Sequence, residues 1–145
     1  MKNKTKAERK FQSLKLEDYF KKGKAIIWKE TFAVLKAKRP YPAAFANIID
    51  KKETTVVIQE SRIPEKDVIA IESGWKIISF DMVLPFGLCG FLARISGELA
   101  KAGISIFVLS SYSTDHILVK KKDLAKAATQ IRKLGFTVID NGLHL

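Results

Sequence analysis

The chain is poor in the residues from which most metal and redox sites are built: one cysteine, Cys89, and two histidines, His116 and His144, in 145 residues. A lone cysteine leaves no internal disulfide and no thiolate cluster for structural zinc, and no metal-ligand spacing occurs elsewhere. A reducing, intracellular setting is expected. Long apolar runs are also missing. The longest, "VLPFGLCGFLA", is interrupted by Pro85, Gly87 and Gly90 and is far short of the roughly 20 residues that span a bilayer. The opening "MKNKTKAERKFQSLKLEDYFKKGK" is basic, but no apolar run follows, so it does not read as a secretory signal. A soluble, cytoplasmic protein without a membrane span is expected.

What is present is a globular composition, 47% hydrophobic and 28% charged, with a net charge of +11. The length suits one compact domain or two small ones sharing a core. The charge is concentrated: residues 1–24 hold nine Lys or Arg against three acids. Two readings are open for this basic N-terminal extension. It is a solvated, partly frayed segment, or an amphipathic helix that meets RNA or an anionic surface through its lysines with Phe11, Leu14 and Phe20 as apolar points.

From Trp75 onward the pattern is regular. "WKIISFDMV" alternates, with Ile78, Phe80 and Met82 on one face and Trp75, Ile77 and Ser79 on the other, as in a strand. After the loop "LPFGLCG", Leu92, Ile95, Leu99 and Ala102 recur at helical spacing, and Gly103 ends the helix. "ISIFVLSS" is a strand apolar on both faces, so Phe107 and Leu109 need cover as well as Ile104, Ile106 and Val108. "TDHILVK" is a further strand. A second helix carries Leu124, Ala127, Ala128, Ile131 and Leu134 and stops at Gly135, before the strand "FTVID". The order is βαββαβ, a ferredoxin-like antiparallel sheet with two helices on one face.

The first half is strand-rich. Thr31–Ala37, Phe45–Asp50 and Thr54–Glu60 read as strands, the last two joined by the hairpin loop "KKE". Pro40 and Pro42 disfavour a long helix between the first two. Residues 61–74 read as a linker.

Two turns carry candidate chemistry. At the start of the helix that opens at Gly90, the backbone N–H groups lack internal partners and the helix dipole favours an anion, so a carboxylate can dock. Gly87 and Gly90 permit a close approach; alternatively, they only satisfy a tight turn. In "SSYSTD", Asp115 can hold an ammonium while Ser110, Ser111, Ser113 and Thr114 fix its orientation; alternatively, these are ordinary turn formers. The fold places both turns near one edge of the sheet, and an anion site beside a cation site suits a zwitterion. A helix start lowers a thiol pKa, yet nothing positions either histidine as a base for Cys89, which also reads as a small apolar residue. Asp115 and His116 are neighbours on a strand and point to opposite faces.

The stretch "PFGLCGFLARISGELAKAGISIFVLSSYSTDHILVKKKDLAKAATQIRKLGFTV" resembles the C-terminal module of the small tandem ACT-domain proteins, which are similar to the arginine-sensing CASTOR proteins. The glycine at the helix start, "AGISI", and Ser111 to Val119 in the pattern S-x-Y-x-T-D-x-I-L-V carry the resemblance, which spans about Thr31 to Val138. It implies a degenerate ACT-like half over 25–72 and an ACT domain over 73–145. A small ligand, typically an amino acid, would bind where modules meet. Phe86, Gly87, Leu88, Cys89 and Gly90 would form the helix-start loop, and Ser111, Tyr112, Thr114 and Asp115 the facing wall. Relatives often have a hydroxyl residue where Cys89 stands, and the basic extension is unlike shorter relatives.

The expected role is therefore a non-enzymatic regulatory protein without a cofactor, acting as a homodimer on an unknown regulated partner. RNA or anionic-surface binding through residues 1–24 is the alternative. Base stacking in the manner of an RRM is disfavoured, because "TDHILVK" has no Phe, Tyr or Trp. The acylphosphatase-like alternative lacks an arginine in "VLPFGLCG".

Overall fold

The computed structural model describes residue 3 and residues 5–141, and for residues 8–14 the backbone alone. His144 lies outside the described residues, as do the side chains of Phe11 and Leu14. The elements in chain order are α1 (Lys6–Lys22), β1 (Lys24–Ile27), β2 (Phe32–Ala37), β3 (Ala46–Ile49), β4 (Thr54–Gln59) and β5 (Val68–Phe80). After them come α2 (Phe91–Lys101), β6 (Phe107–Ser110), β7 (Asp115–Lys120), α3 (Leu124–Lys133) and β8 (Thr137–Asp140).

The mixed α+β architecture is as the periodicity implies: β5, α2, β6, β7, α3 and β8 follow the βαββαβ order. Alternation along the strands sets the two faces. Ile78 and Phe80 of β5 and Ile117 and Val119 of β7 join Phe91, Ile95 and Leu99 of α2 and Ala127, Ala128 and Ile131 of α3 in one buried cluster. Ile77 and Leu118, of opposite parity on the same strands, point to the other face and pack with Phe32 and Val57 from the first half. Phe107 and Leu109 lie partly buried against that second cluster, so the first half does contribute to their cover.

Three features depart from the sequence pattern. The first is that β5 begins at Val68, inside the expected linker, and crosses the 72/73 position. Its first half pairs with β2 and its second with β7. The second is β1, a strand that the apolar pattern did not disclose. It lies between β5 and β8, antiparallel to the first (Ala25 opposite Phe80) and parallel to the second (Ala25 opposite Val138). The closing strand therefore reaches the sheet through a segment from the beginning of the chain.

β1 and β2 run end to end along the same edge of β5, interrupted at residues 28–31. An interruption leaves carbonyls without a ladder partner. Lys76, nearly buried, supplies the missing donors: its Nζ donates to Lys29 O at 2.7 Å and Glu30 O at 2.9 Å. Burial holds its ammonium below the ordinary value of 10.5, with Asp140 and Glu30 opposing the shift.

The third departure is α1. The frayed-segment reading does not hold for its second half, and Phe20 is not an apolar point open to RNA or lipid. Leu16 and Phe20 belong to the main core; Phe20 is fully buried, with ring centroids 5.7 Å from Phe91 and 5.2 Å from Phe136. Arg94 on α2 binds the segment from outside, pairing with Glu17 at 3.0 Å and lying 5.6 Å from the Phe20 ring centre. Gly23 then lets the chain pass close to the core: a Cβ there would lie 2.5 Å from Phe136 Cε1 and meet the Met82 side chain as well.

The first half has no α-helix over its sheet, only a single 3-10 turn at Glu60–Arg62. The place of a helix is taken by the 38–45 loop and the 60–67 connection, with Tyr41 inserted among Ala33, Leu35, Val56 and Ile58. The Tyr41 hydroxyl donates to Lys66 O at 2.9 Å, and Asn47 bonds both the N–H and the carbonyl of Tyr41. This satisfies a loop that would otherwise bury free backbone groups.

Candidate functional site

The loop between β5 and α2 and the turn between β6 and β7 meet at one end of the sheet. They are joined directly, Leu84 N donating to Ser113 O at 2.7 Å. Between them lies a cavity of about 320 Å³. From the loop and helix come Leu84, Pro85, Phe86, Leu88, Gly90, Phe91, Leu92 and Ala93; from the turn come Ser110, Ser111, Tyr112, Ser113, Thr114 and Asp115. Seven of the nine residues singled out from the sequence thus face one space. Gly87 and Cys89 are not among its lining residues; both are exposed.

One wall is the start of α2. Gly90 occupies the cap position with φ of +89°, a conformation open to glycine at little cost, and it offers no capping side chain. The amides of Phe91, Leu92 and Ala93 in the first turn are left for another acceptor. The opposite wall carries Asp115, the one charged side chain among the described lining residues. Ser110 Oγ donates to Asp115 Oδ1 at 2.6 Å, which orients the carboxylate and leaves its second oxygen for a further donor. At the mouth, the exposed rings of Phe86 and Tyr112 meet edge to face, centroids 5.0 Å apart.

The turn is held rigidly. Thr114 Oγ1 donates to Phe80 O at 2.7 Å, while Ser111 donates to Thr114 O through both its N–H (2.9 Å) and its hydroxyl (3.1 Å). Behind it runs a one-way series of donors. Ser111 Oγ gives its one proton to Thr114 O, so the ring hydrogen of His116 is assigned to Nε2, which donates to Ser111 Oγ at 3.2 Å. His116 Nδ1 then accepts from Ser79 Oγ (2.6 Å), which in turn accepts from the Trp28 indole N–H (2.7 Å). Asp115 and His116 thus serve opposite faces of β7, as strand parity requires: the carboxylate lines the cavity, and the imidazole lines a separate open hollow with Trp28, Lys29, Glu30 and Asp81.

Burial, with the Phe45 ring 5.2 Å away, holds the His116 pKa below the ordinary 6.5, and Asp115 opposes the shift. Below pH 6.5 the unfolded chain takes up a proton that the folded ring refuses, so stability falls as pH falls from 6.5 toward the depressed value. Thermal melts between pH 7.5 and 5.5 should show this loss, and His116→Gln should flatten it. Equal pH dependence in both proteins would contradict the assignment.

With this geometry in place, the chain can be compared with known proteins. Residues 70–133 match the family model described as ACT domain. Over this segment the chain is similar to an ACT domain. The human protein named CASTOR3P is 29% identical over 84 residues, covering 50% of this chain and 52% of that protein. The chain therefore spans about half the length of the curated relative it matches. Among solved structures, a protein from Agrobacterium tumefaciens is 27% identical with a TM-score of 0.71, the match covering 85% of this chain and 96% of that one. The regulatory subunit of aspartate kinase from Thermus thermophilus is 10% identical with a TM-score of 0.59, over 78% of this chain and 96% of that one. At that identity the second likeness speaks to the fold alone.

The matched segment starts inside β5 and ends with α3, so it includes both walls of the cavity. Sequence reasoning missed Leu84, Pro85 and Ala93 as lining residues, and it gave Phe91 no role. Their common signal is adjacency to the loop: a helix start presents its whole first turn to whatever lies in front of it. Strand parity placed His116 on the face opposite Asp115; from there it braces the turn through the Ser111 hydroxyl. Among the described residues, no group of three or more His, Cys, Asp or Glu side chains could hold a metal ion. No helix among them is long and apolar enough to cross a membrane.

Proposed function

We propose that this protein is a non-enzymatic regulatory protein whose ACT domain binds a free amino acid in the cavity between Leu84–Ala93 and Ser110–Asp115. The α-carboxylate docks on the uncapped first turn of α2, and the α-ammonium binds Asp115. The observation that carries the reading is the pairing of these two ends across one cavity: an uncapped helix start faces a carboxylate already oriented by Ser110. The regulatory character of the ACT domain agrees with it. The ligand stabilises whichever arrangement of the protein binds it better, by no more than its difference in affinity.

The same proposal treats residues 25–72 as a degenerate ACT-like half, supported by a β2–β4–β3 sheet with a loop where a helix would sit. It also takes a second copy of the chain as the structural partner. Ile69 and Ile71 support this, both exposed on the part of β5 that extends past β7. Sedimentation velocity distinguishes dimer from monomer.

Calorimetric titration with the twenty amino acids tests the ligand class. Saturable one-site binding of at least one of them at up to millimolar concentration is expected. Silence across the panel, with salt-sensitive binding of RNA or anionic vesicles that is lost on charge reversal in residues 1–24, would favour the alternative reading.

A further inference from the structure

We propose that the cavity selects amino acids with apolar side chains, such as leucine, methionine or phenylalanine, and rejects both basic and acidic ones. This rests on the reading that the cavity takes an amino acid, and it concerns the part of the ligand that the two polar walls do not use. Once Asp115 holds the α-ammonium, no charged side chain remains among the described residues that line the cavity. The surface left for the ligand's side chain is formed by Leu84, Phe86, Leu88 and Leu92, with hydroxyls confined to the turn.

A guanidinium or ε-ammonium placed there would lose water and gain no second carboxylate. A side-chain carboxylate would likewise find no lysine or arginine among the described lining residues. Arg94, the basic residue nearest in sequence to the lining, is engaged outward by Glu17 and packed over Phe20. Unpaired charges are strongly disfavoured in partly apolar surroundings, whereas each buried methylene is favourable. The exposed Phe86 and Tyr112 rings at the mouth extend the apolar surface to a longer or aromatic side chain.

The test is a competition titration of the full chain with leucine, methionine, phenylalanine, arginine, lysine, aspartate and glutamate. Each apolar amino acid should bind at least about 100-fold more tightly than each charged one. Leu88→Glu, which adds a carboxylate to the apolar wall, should weaken leucine at least about tenfold and improve arginine or lysine relative to the parent chain. Thermal melts of that variant separate a changed preference from a failure to fold, and Leu92→Glu makes the same test from α2. Tighter binding of arginine, lysine, aspartate or glutamate than of the apolar set would overturn the inference while leaving the amino-acid reading intact. An unchanged preference in both folded variants would also overturn it. No binding of any amino acid would overturn both.

Discussion

Replacing Asp115 with alanine is expected to weaken amino-acid binding by about 100-fold while leaving the fold in place. Hydrogen bonds to charged groups contribute roughly 1.5–3 kcal/mol, and stranding a desolvated ammonium raises the cost further. Asp115 is half-buried at the first position of β7, and its side-chain partner is Ser110, itself exposed. Removing the carboxylate therefore opens no core cavity. The turn keeps its anchors from Thr114 to Phe80 and from Leu84 to Ser113. Asp115→Asn separates charge from shape, since the amide still accepts from Ser110 but cannot neutralise an ammonium; its affinity should fall nearly as far. Wild-type affinity in either variant would remove Asp115 from the site.

Phe20→Ala is expected to destabilise the protein by about 3–5 kcal/mol, lowering the melting temperature by roughly 10 °C or more. The basis is the fully buried ring of Phe20, in contact with Phe91 at the start of α2 and with Phe136 just before β8. Because Phe91 belongs both to this aromatic cluster and to the cavity lining, the helix start is braced by α1. Chemical denaturation monitored by tryptophan fluorescence would measure the loss. A change below about 1 kcal/mol would mean that α1 is peripheral and that the core closes without it.

The second half was legible in the sequence because each of its elements buries one face and ends on a recognisable residue. Ile78 and Phe80 alternate with Ile77, the α2 and α3 stripes recur at helical spacing, and Gly103 and Gly135 both adopt positive φ where the helices end. The missed strands lack that contrast. In β1 only four residues are available, and Ala25 and Ile27 acquire meaning only through β5 and β8. In the first part of β5, Ile69 and Ile71 face solvent, and Gly74, at φ +81°, interrupts the pattern before Trp75. Local alternation reports a strand when one face is covered, and here the covering face was absent.

For the site, residue types and strand parity were legible, which is why Asp115 and His116 were assigned to opposite faces. The direction of side chains within an irregular loop was not. Gly87 and Cys89 lie between residues that line the cavity and yet are exposed and not part of the lining, in a loop turned by Leu88 N on Pro85 O. The depth to which Phe20 is buried was similarly beyond the local pattern, because an apolar residue on a basic helix reads the same whether it meets a core or a partner.

The central claim, that the cavity between the α2 start and the β6–β7 turn is the amino-acid site, is tested most directly by amide chemical shifts of the labelled protein titrated with leucine. The account predicts saturable shifts concentrated at Gly90, Phe91, Leu92 and Ala93 and at Ser110 to Asp115, with the Asp115→Ala protein unresponsive at the same concentrations. Saturable shifts centred elsewhere, or shifts that persist unchanged in Asp115→Ala, would contradict it.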